Sequence, residues 1–339
     1  MLVVRPIAMS DYDALHTCAV ESGHGFTSLP VNEELLTNRI KHSEYSFGKP
    51  DVKEAGDEGY LMVGFESETG EVAGTTGIEA SIGWDVPFYS YHISKVVHSS
   101  PKLGVNNVVK LLTFGNNYTG NSEICTLFLR EKFRGGLNGR LMSKCRFLMM
   151  AEHPERFSET IFAEMRGVSD ENGNSPFWQW LQEHFFSIDF TLADYLTGIG
   201  KKGFIADLMP KLPIYINLLS PEAQAVIGKV HDNTRPALKL LEREGFTNRG
   251  YVDIFDGGPT VECDLRNIES VRHSFRAQVK ISEHTSTQDF LMCNSSFENF
   301  RAAAAKAAYD AETQSVVLAP ELADALLVEE GDFVRLLPQ

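Results

Sequence analysis

Apolar positions in the first 170 residues fall into short β-like runs interrupted by three stretches of helical spacing. LVVRP (2–6) predicts a strand, and Ser10 with Asp11 then caps a helix that carries Tyr12, Leu15 and Cys18 on one side. A Gly/Ser/Pro stretch, SGHGFTSLP (22–30), leads into a second helix from Asn32 to about Ile40. YLMVGFES and EVAGTTGIEAS, parted by the turn residues Thr69 and Gly70, predict a hairpin. Further strands are expected at 87–98, 123–130 and 160–167. Between the last two, Leu141, Cys145 and Leu148 at i, i+4 and i+7 give a helix with a buried face.

Beyond residue 170 a shorter pass through a similar pattern begins. NSPFWQWLQEHFF (174–186) predicts a helix, Ser220-Pro221 caps another that stops at Gly228, and TRPALKLLEREGF (234–246) is a helix ended by Gly245. YVDIF, DGGP and TVECDL then suggest a second hairpin around a glycine turn. RAAAAKAAY (301–309) is a strong helix former, while SVVLAP and DFVRLLP suggest a small β unit.

The junction between the strand at 123–130 and the following helix carries the most chemistry. Leu127, Phe128 and Leu129 lead to Arg130, and Gly135, Gly136 and Gly139 then free the backbone N–H groups to converge on one point. Lys132, Arg134 and Arg140 add cations where the helix opens, so the turn suits a phosphorylated ligand. It is neither a GxxxxGK[ST] loop nor a complete GxGxxG fingerprint. It resembles the R/Q-x-x-G-x-G/A turn with which GCN5-related N-acyltransferases hold the pyrophosphate of coenzyme A. Arg134 and Gly139 match that pattern, and Leu137 replaces its first glycine.

Composition sharpens this picture. At 339 residues the chain is long enough for two or three units with hydrophobic cores. With 31 basic and 46 acidic residues it has a net charge of −15, which argues against nucleic acid or an anionic membrane as partner. Cys18, Cys125, Cys145, Cys263 and Cys293 follow no CxxC or Cys/His spacing, which indicates a reducing compartment and no metal site. No signal-peptide pattern opens the sequence, and no apolar run approaches the ~20 residues that span a bilayer, so a soluble cytoplasmic protein is expected.

The segments GFTSLPVNEELL, SEICTLFL, FAEMRGVSDENGNSPFWQ, FIADLMPKLPIY, VIGKVHDNTRPA and YVDIFDGGPTVECD together look like bacterial arginine N-succinyltransferases over residues 1–265. The resemblance implies an α/β (α+β) chain of tandem GCN5-related N-acyltransferase-like halves, each a mixed sheet flanked by helices. The expected division is 1–190 with the pyrophosphate turn, a shorter half at 191–270, and a small C-terminal α/β region at 271–339. It also implies succinyl transfer from succinyl-CoA, a co-substrate and not a resident cofactor, to the α-amino group of L-arginine, as the first step of arginine catabolism. The partners implied are small molecules, with a homo-oligomer or a related subunit as further possibilities.

The same resemblance makes His231, in GKVHDNTRP, the match for the family's proton donor, and Leu127 the match for its succinyl-CoA contact. Leu129, Gly135, Gly136 and Asn138 complete the expected CoA-binding set with Arg134 and Gly139. Many N-acyltransferases use a tyrosine in their fourth helix as acid, but Leu181 and Leu241 occupy that position in the two candidate helices. Glu164, Asp253, Asp256 and Glu262 are candidates for the guanidinium, and Arg166 or Lys95 for the succinyl carboxylate. GFTSLP is expected to line the arginine pocket. Cys125 raises a covalent route, with direct attack in a ternary complex preferred. Ornithine or another amine as acceptor, acetyl-CoA as donor, and a non-catalytic CoA-binding subunit remain open alternatives.

Overall fold

A computed structural model describes residues 1–23, 29–171, 173–185, 188, 192–193, 196, 203–283 and 288–339. The first strand, β1 (Leu2–Pro6), is followed by helices α1 (Tyr12–Ser22) and α2 (Glu33–Phe47). Asn32 caps α2 by accepting the Leu35 N–H at 3.1 Å, as expected, but the helix runs seven residues past Ile40. At α1 the Asp11 carboxylate turns backwards instead, accepting from the Ala8 N–H at 2.9 Å and from Arg5 at 2.6 Å.

The expected hairpin forms as β2 (Gly59–Glu66) and β3 (Val72–Glu79), paired antiparallel. Strand residues alternate between two covers. Leu61 and Val63 pack with Leu15, Leu36 and Ile40 of α1 and α2. Tyr60 and Met62 pack on the opposite face with Leu141, Met142 and Cys145 of α3 (Asn138–Glu152). Helices on both faces of one sheet explain why β2 is apolar at nearly every position. Burial of α3 extends well beyond the single predicted face, taking in 141–143 and 145–150.

The main sheet continues through β6 (Ser122–Leu129), β7 (Thr160–Glu164) and β10 (Thr260–Asp264) at one edge. At the other, β1 pairs with β13 (Ala302–Asp310), which leads on to β12 (Gln288–Asn294), β15 (Phe333–Pro338), β11 (Phe275–Ile281) and β14 (Ser315–Leu318). β13 is the alanine run expected to be helical. Ala302 and Ala303 pair with Val4 and Val3 on one edge and with Cys293 and Met292 on the other, so two ladders override the helical preference of the alanines.

A second sheet holds β8 (Ile214–Tyr215), β5 (Val105–Gly115), β4 (Ser90–Ser100) and β9 (Tyr251–Val252). The sequence pattern gave no strand for β5, whose outer half is exposed and interspersed with asparagine and lysine. Tyr91 and Leu112 of this sheet pack on Phe177 and Leu181 of α4 (Pro176–Phe185). The second expected hairpin divides between sheets: β9 pairs with β4, β10 pairs with β7, and a single bridge joins Val252 to Pro259. No helix among the described residues is long and apolar enough to cross a membrane.

Candidate active site

The site begins where two parallel strands separate. β6 and β7 pair only at Ser122–Ile161 and Glu123–Phe162, and beyond that point the main-chain edge of β6 faces a cleft of about 730 Å³. Cys125 to Leu129 form one wall of this cleft and Ala163 to Arg166 the other.

β6 is also bulged against β3. Thr126 takes a left-handed backbone with φ of 56°, and the register shifts between Thr75 and Gly77. Past the bulge, the Arg130 N–H donates to Ala73 O at 2.9 Å, on the β3 side. Strand alternation therefore directs the amides of Leu127 and Leu129 toward the other edge, the cleft. Those amides can stabilise negative charge on an acyl oxygen.

At the end of β6 the glycine turn runs into α3. Gly136 has φ of 51°, and among the described residues a Cβ added at Gly135, Gly136 or Gly139 would meet nothing within 4 Å, so the turn is open to a ligand. Asn138 fixes it by donating from its side chain to Phe133 O at 2.9 Å. Gly139 and Arg140 precede the first α-helical bond, from Leu141 N to Leu137 O, and so present first-turn N–H groups. Arg134 Nε donates to Leu129 O at 2.9 Å, which seats its cation at the mouth of the cleft. Lys132 is withdrawn from the expected phosphate set by Glu71, and the neighbouring Arg130 is engaged by Glu21 and Glu71.

His231 is tied to the opposite wall. Its N–H donates to Arg166 O at 2.9 Å, and Val230 bridges Gly167 just beyond β7. It lines an adjoining cleft of about 1050 Å³ that shares Ser22, Arg166, Asp232 and Asn233 with the first. The Asn233 N–H donates to His231 Nδ1 at 3.2 Å, so the neutral ring carries its proton on Nε2. Partial burial, and secondarily the Arg166 guanidinium, hold its pKa below 6.5.

The four acidic candidates separate. Glu164, Asp253 and Asp256 line the cleft, whereas Glu262 lies elsewhere, accepting from Tyr118 at 2.6 Å and Arg249 at 3.1 Å. Asp256 braces the local backbone by accepting from Gly167 N and Gly258 N, at 2.6 and 2.8 Å. Burial raises the pKa of both aspartates, and the Asp253 charge lifts Asp256 further. Of the cations proposed for the succinyl carboxylate, Arg166 lines the cleft, while Lys95 is exposed on β4, which lies in the second sheet. Leu181 and Leu241 are both buried in apolar clusters. Of GFTSLP, residues 25–28 lie outside the described residues.

Cys125 lines the cleft, but burial pushes its thiol pKa up to about 12. A thiol held protonated is a poor nucleophile. Cys125→Ser is therefore expected to retain turnover within a few-fold, and a progress curve showing abolished activity with intact folding and CoA binding would restore the covalent route.

Sequence reasoning passed over three residues: Thr126 with its bulge, Arg39, and Arg146. Arg39 of α2 donates to Glu79 at 3.0 Å and to the Thr126 hydroxyl at 2.9 Å, bracing the bulge. The one available signal for Arg146 was a lone arginine inside the apolar run KCRFLMM.

An open main-chain edge, a basic glycine turn and a histidine on the facing wall define the site of an acyl-group transferase. The comparisons with known proteins make that class specific. Residues 2–270 match the model of the arginine N-succinyltransferase beta subunit, and 275–338 that of its C-terminal domain. Arginine N-succinyltransferases of Salmonella schwarzengrund (strain CVM19633) and Salmonella agona (strain SL483) are each 46% identical over 340 residues, covering 99% of this chain and 97% of theirs. A solved structure, arginine/ornithine succinyltransferase subunit AI from Pseudomonas aeruginosa, has a TM-score of 0.91 at 36% identity, covering 100% of this chain and 98% of its own. The chain belongs to the arginine N-succinyltransferase family.

Proposed function

We propose that this protein transfers the succinyl group of succinyl-CoA to the α-amino group of L-arginine, releasing CoA and N2-succinylarginine, as the first step of arginine catabolism. The observation that carries this reading is the cleft between β6 and β7, which has a basic turn at its mouth and an adjoining histidine. Succinyl-CoA lies with its pyrophosphate on the turn from Arg134 to Gly139 and its thioester carbonyl at the Leu127 amide, with Leu129 beside the pantetheine arm. Gly135, Gly136 and Asn138 shape the turn.

The neutral amine attacks the carbonyl directly, and the charge that develops on oxygen meets a backbone N–H already aimed at it. The neutral His231 ring accepts the proton the amine loses on Nδ1, its one lone pair, which gives up the Asn233 N–H to do so. The imidazolium so formed returns it to the departing CoA thiolate. Glu164 and Asp253, which line the cleft, would hold the guanidinium, Asp253 through the oxygen not already bonded to the Phe255 and Asp256 N–H groups.

The division at 190 and 270 fits this reading as a repeat organisation, supported by the helix Arg235–Arg243 and its Gly245-Phe246 ending. Each of the three parts contributes to the main sheet, the middle one through β10 alone, so they form one folded body. Assembly with a second copy or a related chain fits the relative described as a subunit and the exposed Val97, Leu103, Val105 and Val108 on the β4–β5 arm.

Thiol release should be measured with succinyl-CoA and acetyl-CoA crossed with arginine, ornithine and lysine. Succinyl-CoA with arginine is expected to give the largest kcat/KM, and no release from that pair would defeat the proposal. Ornithine is a second acceptor to watch, given the name of the solved relative. Arg134→Ala is expected to raise the KM for succinyl-CoA by roughly 10-fold with kcat little changed, as loss of a phosphate contact would.

A further inference from the structure

Arg146 is the most buried cation along the cleft, with 2% of its surface exposed. Its Nε donates to Ser143 O at 2.9 Å and a terminal nitrogen to Ser143 Oγ at 3.3 Å, both within its own helix. Among the described residues no carboxylate lies within the 4.0 Å of an ion pair, and the ionisable groups acting on it are the thiols of Cys145 and Cys125. A guanidinium withdrawn from water without a counter-charge is unfavourable, and here burial pulls its pKa down to about 10. A ligand anion entering the cleft would relieve that deficit.

Position decides which anion. Arg146 is seven residues along α3 from Gly139, about 10 Å from the phosphate turn. Helix α3 runs back along β6 and brings Arg146 near Cys125, two residues and roughly 7 Å before Leu127. The free carboxyl carbon of a succinyl group lies about 4 Å from its thioester carbon. With a hydrogen bond of ~2.9 Å at each end, an acyl group of that length spans from the Leu127 amide to the level of Cys125.

Resting on the reaction proposed above, we infer that Arg146 binds the distal carboxylate of the acyl group and makes the protein selective for a dicarboxylic acyl-CoA. Arg166, the earlier candidate for this role, lines the wall that carries His231 instead. Arg146 sits on the side of β6, where the acyl chain ends.

The test compares succinyl-CoA with butyryl-CoA, which has the same number of acyl carbons and no carboxylate, using arginine as acceptor. In Arg146→Met, kcat/KM for succinyl-CoA is expected to fall by about 100-fold or more while butyryl-CoA turnover holds or rises, and Arg146→Lys should recover part of the preference. Equal losses with both donors would overturn the assignment. If Arg146→Met does not fold, the wild-type protein and Arg146→Lys decide. A wild-type preference for succinyl-CoA that the lysine variant reduces supports the role, and equal use of the donors by wild type, or a ratio unmoved by lysine, overturns it. Wild-type protein that releases no thiol from succinyl-CoA and arginine defeats the parent reading, a result distinct from normal turnover with unaltered donor preference in the variants.

Discussion

Replacing His231 by alanine is expected to lower kcat by roughly 10²-fold or more, about 2.7 kcal/mol of transition-state stabilisation, with CoA affinity near that of the wild-type protein. The two observables separate because His231 is held by Arg166 and Asn233 on the wall across from the phosphate turn. Steady-state kinetics combined with CoA titration measures both, and a near-native kcat would remove His231 from the mechanism. The pH profile gives an independent check. The ring must start neutral to accept the amine proton, so activity falls as pH drops through its pKa. Burial and the Arg166 charge place that pKa below 6.5 in the unliganded protein, so the acid limb of kcat/KM should lie below the value for a free imidazole. In His231→Ala that limb should disappear. Neutralising Arg166 should move it upward, because a nearby cation disfavours the imidazolium.

Part of this arrangement was legible in the sequence: residue pattern gave the strand, the glycine turn and the helix, and the family resemblance implied one cofactor set of Leu127, Leu129, Arg134 and Gly139. The structure brings all four to one cleft. Strand and turn chemistry act over a few neighbouring residues, which is the range that periodicity reports. The alanine run at 302–305 misled for the converse reason. Its fate was decided by Val3 and Val4 on one edge and Met292 and Cys293 on the other, partners remote in sequence. Arg146 was hidden in the same way, since burial on nearly every side of α3 arises from sheet and helices that only the fold assembles. The bulge at Thr126 had no local marker either: a threonine with positive φ is uncommon and is stabilised here by Arg39 from α2 and by the Thr75 hydroxyl bonded to Thr126 O at 2.9 Å.

The β6 edge just past the bulge also depends on what stands opposite it: Gly74 pairs with Leu129, and Gly74→Ala should expose that dependence. A Cβ at Gly74 would sit 2.1 Å from Phe128 O and 3.0 Å from the Leu129 Cα, both backbone atoms of β6. No flexible side chain can yield, so β3 and β6 must move apart just where the Leu127 and Leu129 amides are aimed. The expected result is a loss of about 3 kcal/mol in stability by denaturant unfolding, together with a kcat reduced by 10²-fold or more as the acyl oxygen loses its aligned donor. Gly203→Ala is the matched control: among the described residues nothing lies within 4 Å of its added Cβ, it opens a short helix, and it should leave stability unchanged or slightly higher. Because strain between strands acts on every ligand that uses this edge, Gly74→Ala should impair succinyl-CoA and butyryl-CoA alike, in contrast to Arg146→Met. Native-like stability and turnover in Gly74→Ala would mean that close packing of β3 does not hold this β6 edge in place, and the donor geometry at Leu127 would then need another support.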